Sequence, residues 1–571
     1  MKRFKNDITN YYFNIIRWVA MEDLMLKPFS ESMLNDFKEN IENIYDTKSF
    51  DKFQKKIQKE HKIVLSKVQM LSICKHLNIE NECVRDMLIK KSVRSHSGVT
   101  VLTLFTSGTP EYTNSKGEKV KQNFTCKYDC FYCRDEPATS SNNYLKPGRS
   151  YSSTEPGVRR GQSNNYDCIS QVYDRLSTLL LCNHDITKAE VIILGGSWNS
   201  YPEEYRDQFI LDMYYGLNTF TENRGRSKMS LADEIGYNTF KSKVKCVGLS
   251  LETHPKDITL DAIKKYREYN VCRFQIGIQH LDDYILKKVN RKQTAELAEH
   301  ALKLLKDNGF KCEGHIMLNL PNSTPQKDED MLEQIVNNPK YQCDFLKIYP
   351  TSVMEYTKIK DWYDAGTYTP YSEDKLFEVI LKFKSKCKPY VRNSRIIRDF
   401  IKEEVLAGYT MVHMRDVLGK EMAKRNLQCS CIRCMELKTE KIISSYFTVY
   451  HYKASDGLEY FLCYKNQNHK IIGYLRLRFP GKDAEQLDVL KDCAIIRELH
   501  IMGRVTAISS KVKTQSGQHR GYGQRLIEQA EIFAYMYGDY KKMAIISATG
   551  VRAYYMKFGY ELKDTYMIKN L

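Results

Sequence analysis

The chain has no run of apolar residues approaching the roughly 18 needed to cross a bilayer, which excludes a helical membrane protein. Its opening Met1-Lys2-Arg3-Phe4-Lys5-Asn6-Asp7 lacks the apolar core of a secretory signal. A soluble, cytoplasmic protein with no membrane partner is the resulting expectation. Internal repeats and long low-complexity segments are missing as well. Acidic residues are in deficit: 70 Asp+Glu stand against 88 Lys+Arg, a formal charge of +18. That surplus suits a polyanionic partner, because Lys and Arg that neutralise phosphates release counterions; a basic balance also occurs in proteins that bind no nucleic acid. What is present is size and core material. At 571 residues, 42% hydrophobic and 12% aromatic, the chain can build about three or four domains, which excludes wholesale disorder.

Seventeen cysteines in a short secreted chain would suggest a disulfide framework. Spread over a large chain without a signal peptide, they read instead as reduced thiols or metal ligands. Cys74, Cys246, Cys272 and Cys343 lie singly in apolar or amphipathic segments, as small buried hydrophobes do. Two clusters are left for chemistry.

Residues 1–92 read as a helical, basic region. Val64, Val68, Leu71, Ile73 and Leu77 recur at helical spacing, and Lys52, Lys55, Lys56, Lys59, Lys62 and Lys67 supply a dense basic face, either simply solvated or phosphate-binding. Residues 93–390 alternate short apolar strands (Val99 to Phe105, Val191 to Leu194, Val244 to Leu251, Phe274 to Ile278, His315 to Leu320, Phe345 to Tyr349) with amphipathic runs such as Ile169 to Leu181, Ile258 to Tyr269 and Ala295 to Asn308. This predicts an α/β fold, a partial (βα)6 barrel with its chemistry at the carboxyl ends of the strands. Residues 391–440 read as a linker. Residues 441–571 predict a separate α+β domain with strands at Tyr446 to Tyr452, Tyr460 to Tyr464, Ile471 to Phe479, Ile495 to Met502 and Ala544 to Ser547, and helices opening near Gly521 and Arg552.

Cys126-Lys127-Tyr128-Asp129-Cys130-Phe131-Tyr132-Cys133 is CxxxCxxC. Three thiolates in one short loop hold three irons of a [4Fe-4S] cubane and leave the fourth open for substrate. A zinc knuckle would use similar residues, but the spacing, the aromatic before the last cysteine and the position after the first strand match the radical S-adenosylmethionine (SAM) pattern. Gly195-Gly196, ending the next strand, resembles the segment of that family that binds the SAM amino group. In the last domain, Gln518-His519-Arg520-Gly521-Tyr522-Gly523 fits the Q/RxxGxG pattern before an amphipathic helix; its glycines let amides approach a pyrophosphate at a helix start. With the strand Arg497-Glu498-Leu499-His500-Ile501 and with Tyr554-Tyr555 on the last helix, the set resembles a GNAT-type acetyl-CoA-dependent domain. Cys429-Ser430-Cys431-Ile432-Arg433-Cys434 predicts a zinc clip, with His413 or Cys387 as fourth ligand, or else plain reduced cysteines.

The order of the two cofactor signatures, with Leu251-Glu252-Thr253-His254-Pro255, Leu346-Lys347-Ile348-Tyr349-Pro350-Thr351, Arg94-Ser95-His96-Ser97-Gly98-Val99 and Arg497-Glu498-Leu499-His500, resembles the family of the catalytic third subunit of Elongator and its single-subunit relatives, from about Met87 to Leu571. The resemblance implies a transferase acting on the wobble uridine, U34, of tRNA. In that family a cluster on Cys126, Cys130 and Cys133 would cleave SAM to a 5′-deoxyadenosyl radical. This radical would take hydrogen from the acetyl methyl of acetyl-CoA, and addition to C5 of uridine would give 5-carboxymethyluridine. The resemblance places acetyl-CoA contacts at Lys188, Arg497 to Ile501, Gln518, Gly521, Tyr522, Gly523 and Tyr554, and catalytic roles at the three cysteines, Tyr554 and Tyr555. Its implied partners are the tRNA anticodon stem-loop and other Elongator-like subunits or a second copy of the chain. Departures fall at Ser197-Trp198 (usually Thr-Phe), Gln275 (usually Glu), Leu318 and Asn319. A tRNA-binding scaffold with a degenerate site and a protein lysine acetyltransferase are the alternatives.

Overall fold

The computed structural model describes residues 29–571 apart from 42, 80, 82–83, 85–86, 89–96, 399, 412, 504–517 and 519. The expectations placed on residues 1–28, on Arg94-Ser95-His96 and on His519 lie outside the described residues. The chain forms two compact units, one of residues 1–94 with 175–186, the other of residues 95–174 with 187–571.

In the first unit the helices Glu31–Ile41, Thr47–His61 and Lys67–His76 turn Met33, Phe37, Ile41, Phe53, Ile57 and Ile73 into a common core. Phe37 and Phe53 meet edge to face at 5.1 Å. Asp46 starts the middle helix by accepting a hydrogen bond from the Ser49 N–H at 2.7 Å, satisfying an amide that the first turn leaves open. The same helix leaves Lys52, Lys55, Lys56 and Lys59 exposed.

The second unit is built on two sheets. The first contains β1 (Thr100–Phe105), β4 (Lys188–Leu194), β5 (Lys245–Thr253), β6 (Arg273–Gln279), β7 (Lys311–Leu318), β8 (Phe345–Pro350) and β10 (Arg392–Arg395). They lie in the order β1-β4-β5-β6-β7-β8-β10, every pair parallel. A hairpin of β2 (Glu111–Thr113) and β3 (Lys119–Lys121) follows β1, and β9 (Ser352–Met354) pairs with β11 (Val405–Gly408). The partial barrel thus has seven strands, one more than the periodicity predicts. The added β10 is short and polar and lies beyond the predicted boundary at residue 390. Lys188, expected just before a strand, is the first residue of β4, paired with Lys245.

The second sheet has the order β12-β13-β14-β15-β16-β18-β17, from β12 (Ser445–Ala454), β13 (Gly457–Asn466), β14 (Ile471–Phe479), β15 (Cys493–Ile501), β16 (Lys542–Ile546), β17 (Glu561–Lys563) and β18 (Tyr566–Asn570). Only β15 and β16 are parallel, and their pairing stops at Ile496 and Ile545, whereas β15 runs on to Ile501. The helix Tyr522–Gly538 covers this sheet through Leu526, Ile527, Ala530 and Ala534.

Three arginines of the second sheet are buried against the barrel. Arg497 donates to Asp344 at 2.7 and 2.9 Å, to Glu459 at 2.8 Å and to the Phe310 carbonyl at 2.8 Å. Arg478 pairs with Asp307 and with Glu459 at 3.0 Å, and Arg476 with Glu498 at 2.8 Å. Asp307, Phe310 and Asp344 precede β7 and β8, so the second sheet closes the amino-terminal end of the barrel. The expected linker is stitched to both sheets: the Ile432 N–H donates to the Val391 carbonyl at 3.0 Å and the Leu437 N–H to the Ile471 carbonyl at 3.1 Å.

Burial holds the imidazoles of His315 and His500 below their ordinary 6.5. Against burial, which raises it, Lys347 and Arg273 hold Glu313 at about 2. The unfolded chain protonates each of these groups first on acidification. Their stabilisation is therefore full above pH 6.5, falls as pH drops through the unfolded histidine value, and falls more steeply below about 4.5, the usual carboxylate range. Denaturant midpoints measured from pH 8 to pH 4 are expected to follow that course; a midpoint constant down to pH 5 would contradict it.

Candidate active site

The loop carrying Cys126, Cys130 and Cys133 is held from three directions. The Phe131 N–H donates to the Val289 carbonyl at 3.0 Å, the Ile359 N–H to the Phe131 carbonyl at 3.2 Å, and the Asn290 side chain to the Asp129 carbonyl at 2.8 Å. Tyr128 stacks on His254 at 3.7 Å and donates to Asp257 at 2.6 Å. The Arg291 guanidinium donates to the Cys130 sulfur at 3.5 Å and to the Gly277 carbonyl. A hydrogen bond from the Cys133 thiol, opposed by burial and aided by Arg291, holds the Cys130 thiol well below its ordinary value. Thiolate character is what an iron ligand needs. Arg291 is not selected by sequence reasoning: it is one of 88 cationic residues, and only the fold brings it to the cysteines.

The surroundings also fit SAM. Gln279 Oε1, Gln293 Oε1 and Arg291 Nε are buried without a hydrogen-bond partner, a costly state that a polar ligand relieves. Gly195 and Gly196 follow β4 at φ +136° and +135°, and a Cβ on Gly196 would lie 2.5 Å from the Thr125 carbonyl oxygen. No side chain fits between the glycine pair and the residue before Cys126. Below the mouth, Lys347 donates to Gln275, and His315 lies 3.2 Å from the same amide oxygen. Gln275 is therefore a neutral acceptor for a lysine whose negative partner is Glu313, 3.7 Å away. Two further departures make internal contacts: Ser197 donates to Asp257 at 3.3 Å, and Trp198 is buried.

In the second sheet the predicted residues separate. Gly521, at φ +80°, starts the helix Tyr522–Gly538. A Cβ on Gly523 would lie 2.5 Å from the Tyr554 hydroxyl, so Tyr554 faces the glycine turn; burial pushes its phenol up to about 12. Tyr555 instead belongs to the core with Leu526, Ile527 and Tyr560. The side chains of Arg497 and Glu498 are likewise taken up by the charge lattice. What the strand from Arg497 through Leu499 to Ile501 offers is backbone, on the edge where β15 has parted from β16. Lys188 donates to Gln518 at 2.9 Å, Gln518 donates to the Gly98 carbonyl at 3.1 Å, and His500 contacts the Ser97 carbonyl at 2.6 Å. Lys188, Gln518 and the end of β15 thus come together.

The sulfurs of Cys429, Cys431 and Cys434 lie within 4.8 Å of one another, and the Cys387 thiol hydrogen-bonds with those of Cys429 and Cys431. Between the two candidates for a fourth ligand, Cys387 is at the cluster, while His413 is exposed at the start of the helix Met414–Lys424.

Two family models match the barrel region: the Radical SAM superfamily over residues 123–335 and the Radical SAM C-terminal domain over residues 343–424. The tRNA uridine(34) acetyltransferase of Methanocaldococcus infernus is 30% identical over 567 residues, 96% of this chain and 100% of the relative. The protein of the same name from Dehalococcoides mccartyi is 33% identical over 85% of this chain and 100% of its own length. Elongator complex protein 3 of Homo sapiens is 31% identical over 77% of this chain and 80% of its own. The solved structure of archaeal Methanocaldococcus infernus Elp3 lacking residues 1–46 superposes with a TM-score of 0.69 at 29% identity, covering 83% of this chain and all of that one.

Proposed function

Because the chain belongs to the family of Elongator complex protein 3 and the tRNA uridine(34) acetyltransferases, we propose that it modifies the wobble uridine of tRNA, forming 5-carboxymethyluridine from acetyl-CoA by radical SAM chemistry. The observation that carries this reading is the presence of both donor sets in one compact unit, with Lys188 of β4 bonded to Gln518 beside the glycine turn.

Cys126, Cys130 and Cys133 would hold a [4Fe-4S] cluster, and Gly195-Gly196 leave room for SAM; bound together they supply a one-electron initiation of chemistry at carbon. Arg291 balances the negative charge of the thiolates and sets the loop against β6. The amides of Gly521 to Gly523 and the helix start would receive the CoA pyrophosphate, the free edge of β15 the pantetheine, and Tyr554 would donate a hydrogen bond near the thioester. Cys387, Cys429, Cys431 and Cys434 are a four-thiolate set for structural zinc, joining the end of the helix Glu373–Lys386, before β10, to the segment after it. The exposed lysines of the helix Thr47–His61 suit the RNA backbone, and the cytoplasm suits such a substrate.

Full-length protein with reconstituted cluster, SAM, reductant, acetyl-CoA and tRNA should give 5-carboxymethyluridine by nucleoside mass spectrometry. No product from protein verified to carry the cluster and to bind tRNA would sink the reading. Lysine acetylation of a protein substrate would replace it.

A further inference from the structure

We propose that Phe124 and Tyr356 are a pair of stacking platforms, on either side of the cysteine loop, for unpaired bases next to the reacting nucleotide. This rests on the tRNA reading above and adds to it which side chains hold the splayed loop.

Among the described residues of the barrel region, the exposed large aromatics are Phe124, Tyr144, Phe240, Tyr284 and Tyr356. All but Phe240 follow the carboxyl end of a barrel strand, the end that carries the cysteines. Phe124 and Tyr356 are the two tied to the cysteine loop, Phe124 by sequence and Tyr356 by a backbone hydrogen bond to Asp135. Phe124 is 51% exposed and comes two residues before Cys126; the Gln122 amide fixes its backbone, donating to the Phe124 carbonyl at 2.6 Å and to the Ser200 carbonyl at 3.1 Å. Tyr356, also 51% exposed, is tied to the far side of the loop, where its carbonyl accepts the Asp135 N–H at 3.0 Å, two residues past Cys133.

Tyr356 sits at φ +64°, a left-handed backbone that is unfavourable for a bulky residue and is seldom kept without a reason. The Arg134 guanidinium lies 5.5 Å from its ring centroid, leaving half of the side chain for a second planar partner. On the chain beside Phe124, Lys119, Lys121 and Lys127 are exposed, Lys121 paired with Glu111 at 3.3 Å and Lys127 with Asp257 at 2.8 Å. Apolar rings set among cations match nucleic acid better than they match the apolar face of a protein, because an unpaired base offers a π-face and its phosphate a charge. A base drawn into the barrel has lost its stacking neighbours, and the bases beside it need new ones.

The test uses full-length protein with reconstituted cluster and two probes: a synthetic anticodon stem-loop, and a duplex of the same length without a loop. Phe124→Leu and Tyr356→Leu should each weaken stem-loop binding by roughly tenfold while leaving duplex binding and the salt slope of the affinity as in the parent, since no phosphate contact is removed. Tyr356→Phe should restore affinity, and Phe124→Trp should show fluorescence quenching by the stem-loop. Leucine variants that bind the stem-loop like the parent, or that lose stem-loop and duplex alike, overturn the proposal. If the parent also forms modified uridine, the stacking assignment alone has failed. A parent that binds no tRNA overturns both readings, and binding of a protein segment to the rings in place of RNA overturns this one.

Discussion

Cys133→Ala is expected to abolish 5′-deoxyadenosine formation from SAM while tRNA affinity stays at the parental value. Cys126, Cys130 and Cys133 are the donors that the loop presents, and a cubane held by three thiolates has no spare ligand among them. Cys133→Ala therefore removes one of the three donors outright. The lesion is confined, because the loop keeps its backbone bonds to Val289 and Ile359 and the basic face of the first unit is untouched. Iron content, deoxyadenosine by chromatography and tRNA binding by anisotropy separate the effects. Deoxyadenosine at the parental level would refute the cluster assignment. A parallel loss of tRNA binding would mean that the cysteines support the fold.

The second large effect is on stability. Arg497→Met should lower the unfolding free energy by about 3–5 kcal/mol, the cost of breaking a buried ion pair from one side. Arg497 is 1% exposed and is shared between Asp344 and Glu459, so its removal strands carboxylates that no water reaches. Lys491→Ala is the control: Lys491 pairs with Asp488 at 2.7 Å, but the two side chains are 68% and 92% exposed, and solvent screens such a pair until its loss is barely measurable. Because the Arg497 side chain points into the lattice, KM for acetyl-CoA should be unchanged at temperatures where the variant is folded. Unfolding of Arg497→Met like the parent would mean that the two sheets are joined by other contacts; a selective rise in KM would return Arg497 to the coenzyme.

The barrel is legible wherever its strands are apolar runs flanked by amphipathic helices. β5, β6, β7 and β8 each contain the predicted segment or most of it, extended by residues such as Arg273 and Lys311 whose charges hide them. β10, Arg392-Asn393-Ser394-Arg395, carries no hydrophobic pattern, and only its parallel pairing with β8 makes it a strand. The cysteine loop and the glycine turn are readable because their chemistry depends on local spacing. Arg291 and Asp344 are not, since each acts on a residue far away in sequence, and Cys387 is readable only as one of two candidates that the fold has to choose between. Arg497 lies inside a recognisable strand whose backbone reads as a coenzyme contact, while its side chain serves the junction of the two sheets. Tyr554 and Tyr555 are adjacent, and only packing tells the one at the glycine turn from the one in the core.

One consequence follows from strand β4. Its first residue, Lys188, touches Gln518, three residues before the glycine turn, and the glycine pair after its last residue abuts the cysteine loop. At about 3.3 Å per residue the strand holds these ends roughly 20 Å apart. β4 is therefore a ruler. If the glycine turn receives CoA as proposed, an acyl group held there would have to cross that distance to the cysteine loop on the coenzyme's own arm, and the length of the arm would select the donor together with the chemistry of the acyl group.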